Sequence, residues 1–192
     1  FDVVEKDCGQ YDTVTEVMWV TGAALFIRLA DYREVGGLDG HFFAHMEEID
    51  LCWRLRSRGK KLVCIPQSVV YHVGGATLKK ENPRKTFLNF RNNLLMLYKN
   101  LPDKELEHVL FIRGILDRVA ALVFYLKKDR ANARAVMQAR REFEDIRYSF
   151  AASRIENMMK STDEIIPERT HFSIVMKYYL LGKKHFSQLK LF

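Results

Sequence analysis

Cysteine is scarce in this 192-residue chain, and its number is odd: Cys8, Cys52 and Cys64 form no C-x-x-C pair. That argues against a disulfide framework or a structural zinc site and fits a reducing, cytoplasmic setting. No apolar run approaches the roughly 18 residues that span a bilayer, and no signal-peptide pattern opens the chain. There is no internal repeat. Nor is there an initiating methionine: Phe1 opens a segment that reads like the middle of a protein, so a fragment is expected. What the chain does have is 48% hydrophobic residues, enough for the core of one ordinary domain with a helical appendage. Its net charge of +7 points to an anionic partner: nucleic acid, acidic lipid or a phosphorylated substrate.

Residues 1–13 are polar and read as a surface loop. The β-rich run Val14–Val20 predicts a strand, and the apolar residues after Thr21-Gly22 predict a second strand or tight turn-strand. Leu29–Val35 predicts a short helix closed by Gly36-Gly37. Leu51, Cys52 and Leu55 recur at helical spacing until Gly59, which places Glu47 and Glu48 in a first helical turn, where negative charge is favoured. Lys60–Ile65 and Val69–Val73 predict strands broken at Pro66, with His72 ending the second.

Beyond Gly74-Gly75 the composition shifts to helix. Asn82-Pro83 is a helix start, and Phe87, Phe90, Leu94, Leu97 and Leu101 form an apolar stripe ending at Pro102, with Lys85, Asn89, Asn93 and Lys99 on the outer face. From Asp103 to Lys128 only a narrow polar stripe interrupts a wide apolar helix, near Glu107, Gly114, Asp117, Arg118 and Tyr125. Asp129 caps a further helix carrying Val136, Ala139, Phe143, Ile146 and Phe150, and the two are expected to pair as an antiparallel hairpin. A last amphipathic stretch, Phe172–Leu181, closes at Gly182.

The order T-G-A-A-L-F-I-R, G-G-L-D, M-E-E-I-D-L-C-W-R, I-P and V-V-Y-H resembles the C-terminal half of family 2 glycosyltransferases with the GT-A fold, in the rhamnosyltransferase-like branch that builds bacterial surface polysaccharides. The resemblance covers Val14 to Leu101. It implies an α/β chain: residues 1–101 as the acceptor-binding and catalytic-base half of a GT-A (Rossmann-like) domain, and 102–192 as a mostly α-helical extension. By the same resemblance Glu48, where the family usually has Asp, is the base that deprotonates the acceptor hydroxyl, and His72 is a ligand of Mg²⁺ or Mn²⁺. Trp19, Thr21 and Gly22 match the strand and turn that line the acceptor pocket, an indole face being a platform for a sugar ring. The implied partners are a nucleotide-sugar donor and a saccharide or lipid-linked acceptor, at the cytoplasmic face of the inner membrane.

The residues themselves leave other readings open. Adjacent acids such as Glu47 and Glu48 are ordinary at a helix N-terminus. An i,i+4 pair between Asp50 and Arg54 favours Asp50 as a support of the helix rather than a substrate contact, and Glu47 either faces the acceptor or caps the helix. His72, His41 and His45 are each explained without a ligand role, and Trp19 by a core position. Arg54, Arg56, Arg58, Lys60 and Lys61 read as a solvated helix face rather than a nucleic-acid patch. The chain contains no D-x-D, and one imidazole does not hold a hard divalent cation. The chain alone is therefore expected to be inactive, and its wide helical face to meet a core, a second copy or an anionic membrane. A non-catalytic helical interaction or membrane-docking module retaining a transferase remnant is the alternative function.

Overall fold

The computed structural model describes residues 5–72, 82–162, 166–170 and 173–189. Helix dominates. In chain order the elements are β1 (Thr15–Glu16), α1 (Leu29–Glu34), α2 (Glu47–Ser57), β2 (Val63–Cys64), α3 (Pro83–Asn100), α4 (Asp103–Leu126), α5 (Arg130–Ile146), α6 (Ala151–Met159) and α7 (Ile174–Tyr179).

The α/β sheet expected from the β-branched runs is reduced to a ribbon in which β1 and β2 pair antiparallel, Thr15 opposite Cys64 and Glu16 opposite Val63. Gly22–Ala24 forms a 3-10 turn capped by the Thr21 hydroxyl, not a strand. The residues after it are largely uncovered, Phe26 being 91% exposed. Val69–His72 form no strand either: Val69, Val70 and Tyr71 are all exposed, and Val73 lies outside the described residues. A β-branched run becomes a strand only when a neighbouring edge takes its N–H and C=O groups, and the described residues offer these segments none.

The helices follow the sequence closely, because caps and periodicity are local. Asn82 accepts the Arg84 N–H at 2.9 Å with Pro83 in the first turn of α3, and Asp129 accepts the Asn132 N–H at 3.1 Å at the start of α5. After α1 the chain turns at Gly36 and Gly37, both at positive φ. At Gly37 a Cβ would lie 2.9 Å from the Tyr32 ring, whose hydroxyl accepts the Leu38 N–H, so only glycine fits this turn. α4 and α5 form the expected antiparallel hairpin, locked by Arg140 to Asp117 at 2.9 Å.

Two apolar clusters meet on α2. Its Trp53 joins the larger one, built from α3 to α5 and the turn before α6 around Leu94, Leu95, Phe143 and Phe150. Leu51, Cys52 and Leu55 join the smaller one with Val35 and Leu62, against which Val17, Val20 and Ile27 pack. The acid-bearing helix is thereby wedged between the helical bundle and the ribbon. α6 was not foreseen; its Arg154 reaches back to the carbonyls of Tyr98 and Leu101, closing the end of α3.

Candidate active site

The loop entering α2 is held in a costly conformation. After a 3-10 turn over Gly40–Phe42, capped by the Asp39 carboxylate, Phe43, His45 and Met46 have φ of 61°, 69° and 74°. A side chain at positive φ costs on the order of 1 kcal/mol or more, so three in four residues need an external hold. Asn92 supplies it: from a fully buried place on α3, its Nδ2 donates to the carbonyls of Phe42 and Ala44 at 2.8 Å and of His45 at 2.9 Å. Backbone strain of this kind clusters at active sites and ligand clamps.

What the loop presents is the acid pair. Glu47 and Glu48 occupy the first turn of α2, whose N-cap, Met46, has no side chain to satisfy the free N–H groups. Both residues are half-buried, and one carboxylate oxygen of each, with Nε2 of His45, is buried without a hydrogen-bond partner among the described residues. Burial pushes the Glu48 carboxyl above its ordinary value and the Glu47 charge adds to this, against the helix N–H and His45, which pull the other way. Gly22 lies alongside, since a Cβ there would be 3.9 Å from the Glu48 Cβ. The Thr21-Gly22 turn and Glu48 thus share one side of the molecule.

Beneath them is a buried ionic network. Asp50 is fully buried and receives Arg54 Nη2 at 2.8 Å and Nε at 3.0 Å, the i,i+4 pairing expected from the sequence. It also receives Lys99 Nζ at 3.0 Å and Asn100 Nδ2 at 2.8 Å. Arg54 continues to the carbonyls of Val35 and Gly37, and Lys99 to Asp39 at 2.7 Å. Burial works against the Asp39 carboxylate, yet the Lys99 ammonium and the His41 N–H outweigh it and hold its pKa at about 2. The network ties α2 to the glycine turn after α1, to the loop and to the end of α3, which is what fixes Glu48 in place.

The remaining expected residues lie apart from this centre or outside it. Trp19 is 47% exposed, which removes the core reading, and with Thr21 it lines a groove of about 720 Å³ beside the β1–β2 ribbon. His72 is exposed at the end of a described segment and ends no strand. Among the described residues no group of three His, Cys, Asp or Glu is placed to hold a metal ion, so these residues alone do not fit Mg²⁺ or Mn²⁺. Lys99, expected on the outer face of α3, is buried, because its partners Asp39 and Asp50 come from far along the chain. Arg54 and Arg56 are also buried, Arg56 on Glu168, so these two do not belong to the solvated face expected of the basic run, in which Lys61 is exposed. Asn92, Asn100 and Asn157 were missed altogether, since an isolated asparagine on a helix carries no sequence signal. His45, passed over as a surface histidine, stands next to the acids.

No family profile matches the chain, and no solved structure does. Among curated proteins it is similar to the pre-mycofactocin glycosyltransferase of Mycobacterium tuberculosis, 31% identical over 68% of this chain and 29% of that protein. It is also similar to rhamnosyltransferase WbbL of Escherichia coli, 33% identical over 36% of this chain and 25% of that protein. A third relative is the N-acetylglucosaminyl-diphospho-decaprenol L-rhamnosyltransferase of Mycobacterium tuberculosis, 38% identical over 29% of this chain and 18% of that protein. The chain spans less than a third of the length of these curated relatives. It is nonetheless related to glycosyltransferases and is rhamnosyltransferase-like.

Proposed function

We propose, with that kinship as the premise, that the chain is the acceptor-side, catalytic-base part of an inverting family 2 glycosyltransferase of the GT-A kind. The enzyme moves a sugar from a nucleotide-sugar donor to a saccharide or lipid-linked acceptor in surface-polysaccharide synthesis. The observation that carries this reading is Glu48, a half-buried carboxylate made more basic by burial and aimed from a strained, clamped loop.

In the reaction, Glu48 takes the proton of the acceptor hydroxyl as that oxygen bonds to the anomeric carbon and the nucleoside diphosphate departs from the opposite face. One displacement inverts the anomeric centre. Burial, with the Glu47 charge added to it, keeps Glu48 basic, and the Asp50–Arg54–Lys99 network holds α2 so that the base meets the hydroxyl without rearrangement. Gly22, without a side chain, lets the acceptor come close to Glu48, and the open indole of Trp19 offers a stacking surface for a sugar ring. One relative is named for a diphospho-decaprenol acceptor, which supports a lipid-linked acceptor here. A role for His72 on Mg²⁺ or Mn²⁺ requires oxygen ligands from outside the described residues, so no step above runs through the metal.

The test is Glu48→Gln in the protein as its gene encodes it. Turnover is expected to fall by about 10²–10⁴, the worth of a positioned general base, with sugar-nucleotide affinity retained. Unchanged turnover would remove the assignment.

A further inference from the structure

We propose that the outward face of α4 docks the protein onto a membrane surface rich in anionic lipid. The stripe of α4 that packs inward consists of Leu106, Leu110, Gly114, Asp117 and Ala121. Gly114 and Asp117, members of the narrow polar stripe, therefore lie in the helix seam, with Asp117 engaged by Arg113 and Arg140. The wide apolar face is turned outward instead. Phe111, Ile112, Ile115, Val119, Leu122 and Leu126 recur on the side opposite the packed stripe, each 40–70% exposed. From Phe111 to Leu126 that side carries no polar residue over about 23 Å of helix. An uninterrupted apolar strip of this length is covered by something in the working protein.

The charge around the strip selects the cover. Residues 127–141 carry Lys127, Lys128, Arg130, Arg134, Arg140 and Arg141 against one acid, Asp129, which caps α5. Apart from Arg140 these cations are exposed, and Arg130, Arg134 and Arg141 border a groove whose apolar side is made by Leu122, Tyr125 and Met137. An apolar strip with a cationic rim is the chemistry of a helix seated at an anionic bilayer interface. A second copy fits less well. In an antiparallel α4 pair the basic rims would look to the acids at the other end of α4, where Asp103 and Glu105 are engaged by Arg154 and Arg169, which leaves Glu107 as a single acid against five exposed cations.

The rim also leads somewhere. Arg134 and Gln138 line a second groove, with His41 and Phe43 from the loop that delivers Glu48 into α2. A bilayer lying on α4 would have that loop at the far side of a short arginine-lined path. The docking rests on the face and its rim, not on the reaction proposed above.

The test uses the protein as its gene encodes it and vesicles of phosphatidylcholine alone or with an equal part of phosphatidylglycerol, read by co-sedimentation. Binding is expected only to the mixed vesicles and to weaken with added salt. The double variant Val119→Glu, Leu122→Glu is expected to abolish it with an unchanged circular-dichroism melt, and Arg134→Ala and Arg141→Ala to weaken it about fivefold each. If the double variant misfolds, Leu122→Trp takes its place, with a blue shift of emission expected on adding mixed vesicles. No binding by the wild type, no blue shift, or equal binding to both vesicle types would overturn the proposal. A dimer split by the double variant, without vesicle binding, would assign the face to a second copy. None of these readouts depends on sugar transfer, so failure here leaves the proposed reaction to its own test.

Discussion

One atom of Glu48 carries opposite consequences for rate and for stability. Its folded-state pKa is raised, chiefly by burial, so the folded protein binds this proton more tightly than the unfolded chain does. At neutral pH the unfolded state ionises freely and the folded state bears a desolvated charge, which costs stability; at low pH both are protonated and the cost vanishes. Glu48→Gln should therefore raise the melting temperature at neutral pH. The gain should shrink as pH falls through the carboxylate range, in melts recorded alongside the rate assay. A variant that loses turnover and is also less stable at neutral pH would mean Glu48 is structural. Lys99 has the reverse character. Lys99→Met takes the shared cation from buried Asp50, which keeps Arg54 and Asn100, and from half-buried Asp39, and should cost about 1.5–3 kcal/mol by denaturant titration. Asp39 adds a pH signature: with its pKa lowered to about 2, its stabilisation is complete above the ordinary carboxylate value and is lost as pH falls toward 2. Asp39→Asn should flatten that acid limb, and an unaltered limb would place the acid sensitivity elsewhere.

At the scale of elements, the loop from Asp39 to Met46 is where one buried amide stands in for regular structure. Asn92→Ala removes the donors to three carbonyls and frees three residues at positive φ, so it should cost about 2–3 kcal/mol and lower turnover as the Glu48 base loses its aim. Hydrogen exchange at Phe43 to Met46 should quicken well beyond the rest of α2, and uniform quickening would point to global loosening instead. None of this was legible beforehand. The sequence announces α2 to α5 through caps and apolar spacing, and it announces the Asp50–Arg54 pair because four residues are one helical turn. It does not announce partners 50 or 60 residues apart, so the pattern puts Lys99 in solvent and gives Asn92 no signal. The runs Val14–Val20 and Lys60–Ile65 hold the two strands but only two residues of each, and Val69 to His72 form none, for a related reason: β propensity states that a segment suits a sheet, while the sheet depends on which edges are present. In α4 the sequence shows a wide apolar face without saying which side is buried, since periodicity fixes that faces exist and packing decides which one is inside.

For the whole molecule, that shortfall of sheet has a measurable consequence. Gripping a diphosphate takes backbone N–H groups presented by a strand, turn and helix, or cations and metal converging on one point. The described residues offer a ribbon of two residue pairs, and the cations beneath the acid pair, Arg54 and Lys99, are engaged by Asp50. The proposed reading accordingly places the donor on residues outside this chain, while β1, β2 and exposed Phe26 and Tyr71 mark where further sheet would join. Expressed alone, residues 1–192 should show no heat of binding with nucleoside diphosphate sugars in the presence of Mn²⁺, whereas the longer protein should bind them. The uncovered edges, with the exposed α4 strip, should make the short chain self-associate, and light scattering should register this. Binding of a sugar nucleotide by a monomeric 192-residue chain would move the donor site into these residues and undo the division of labour on which the proposed function rests.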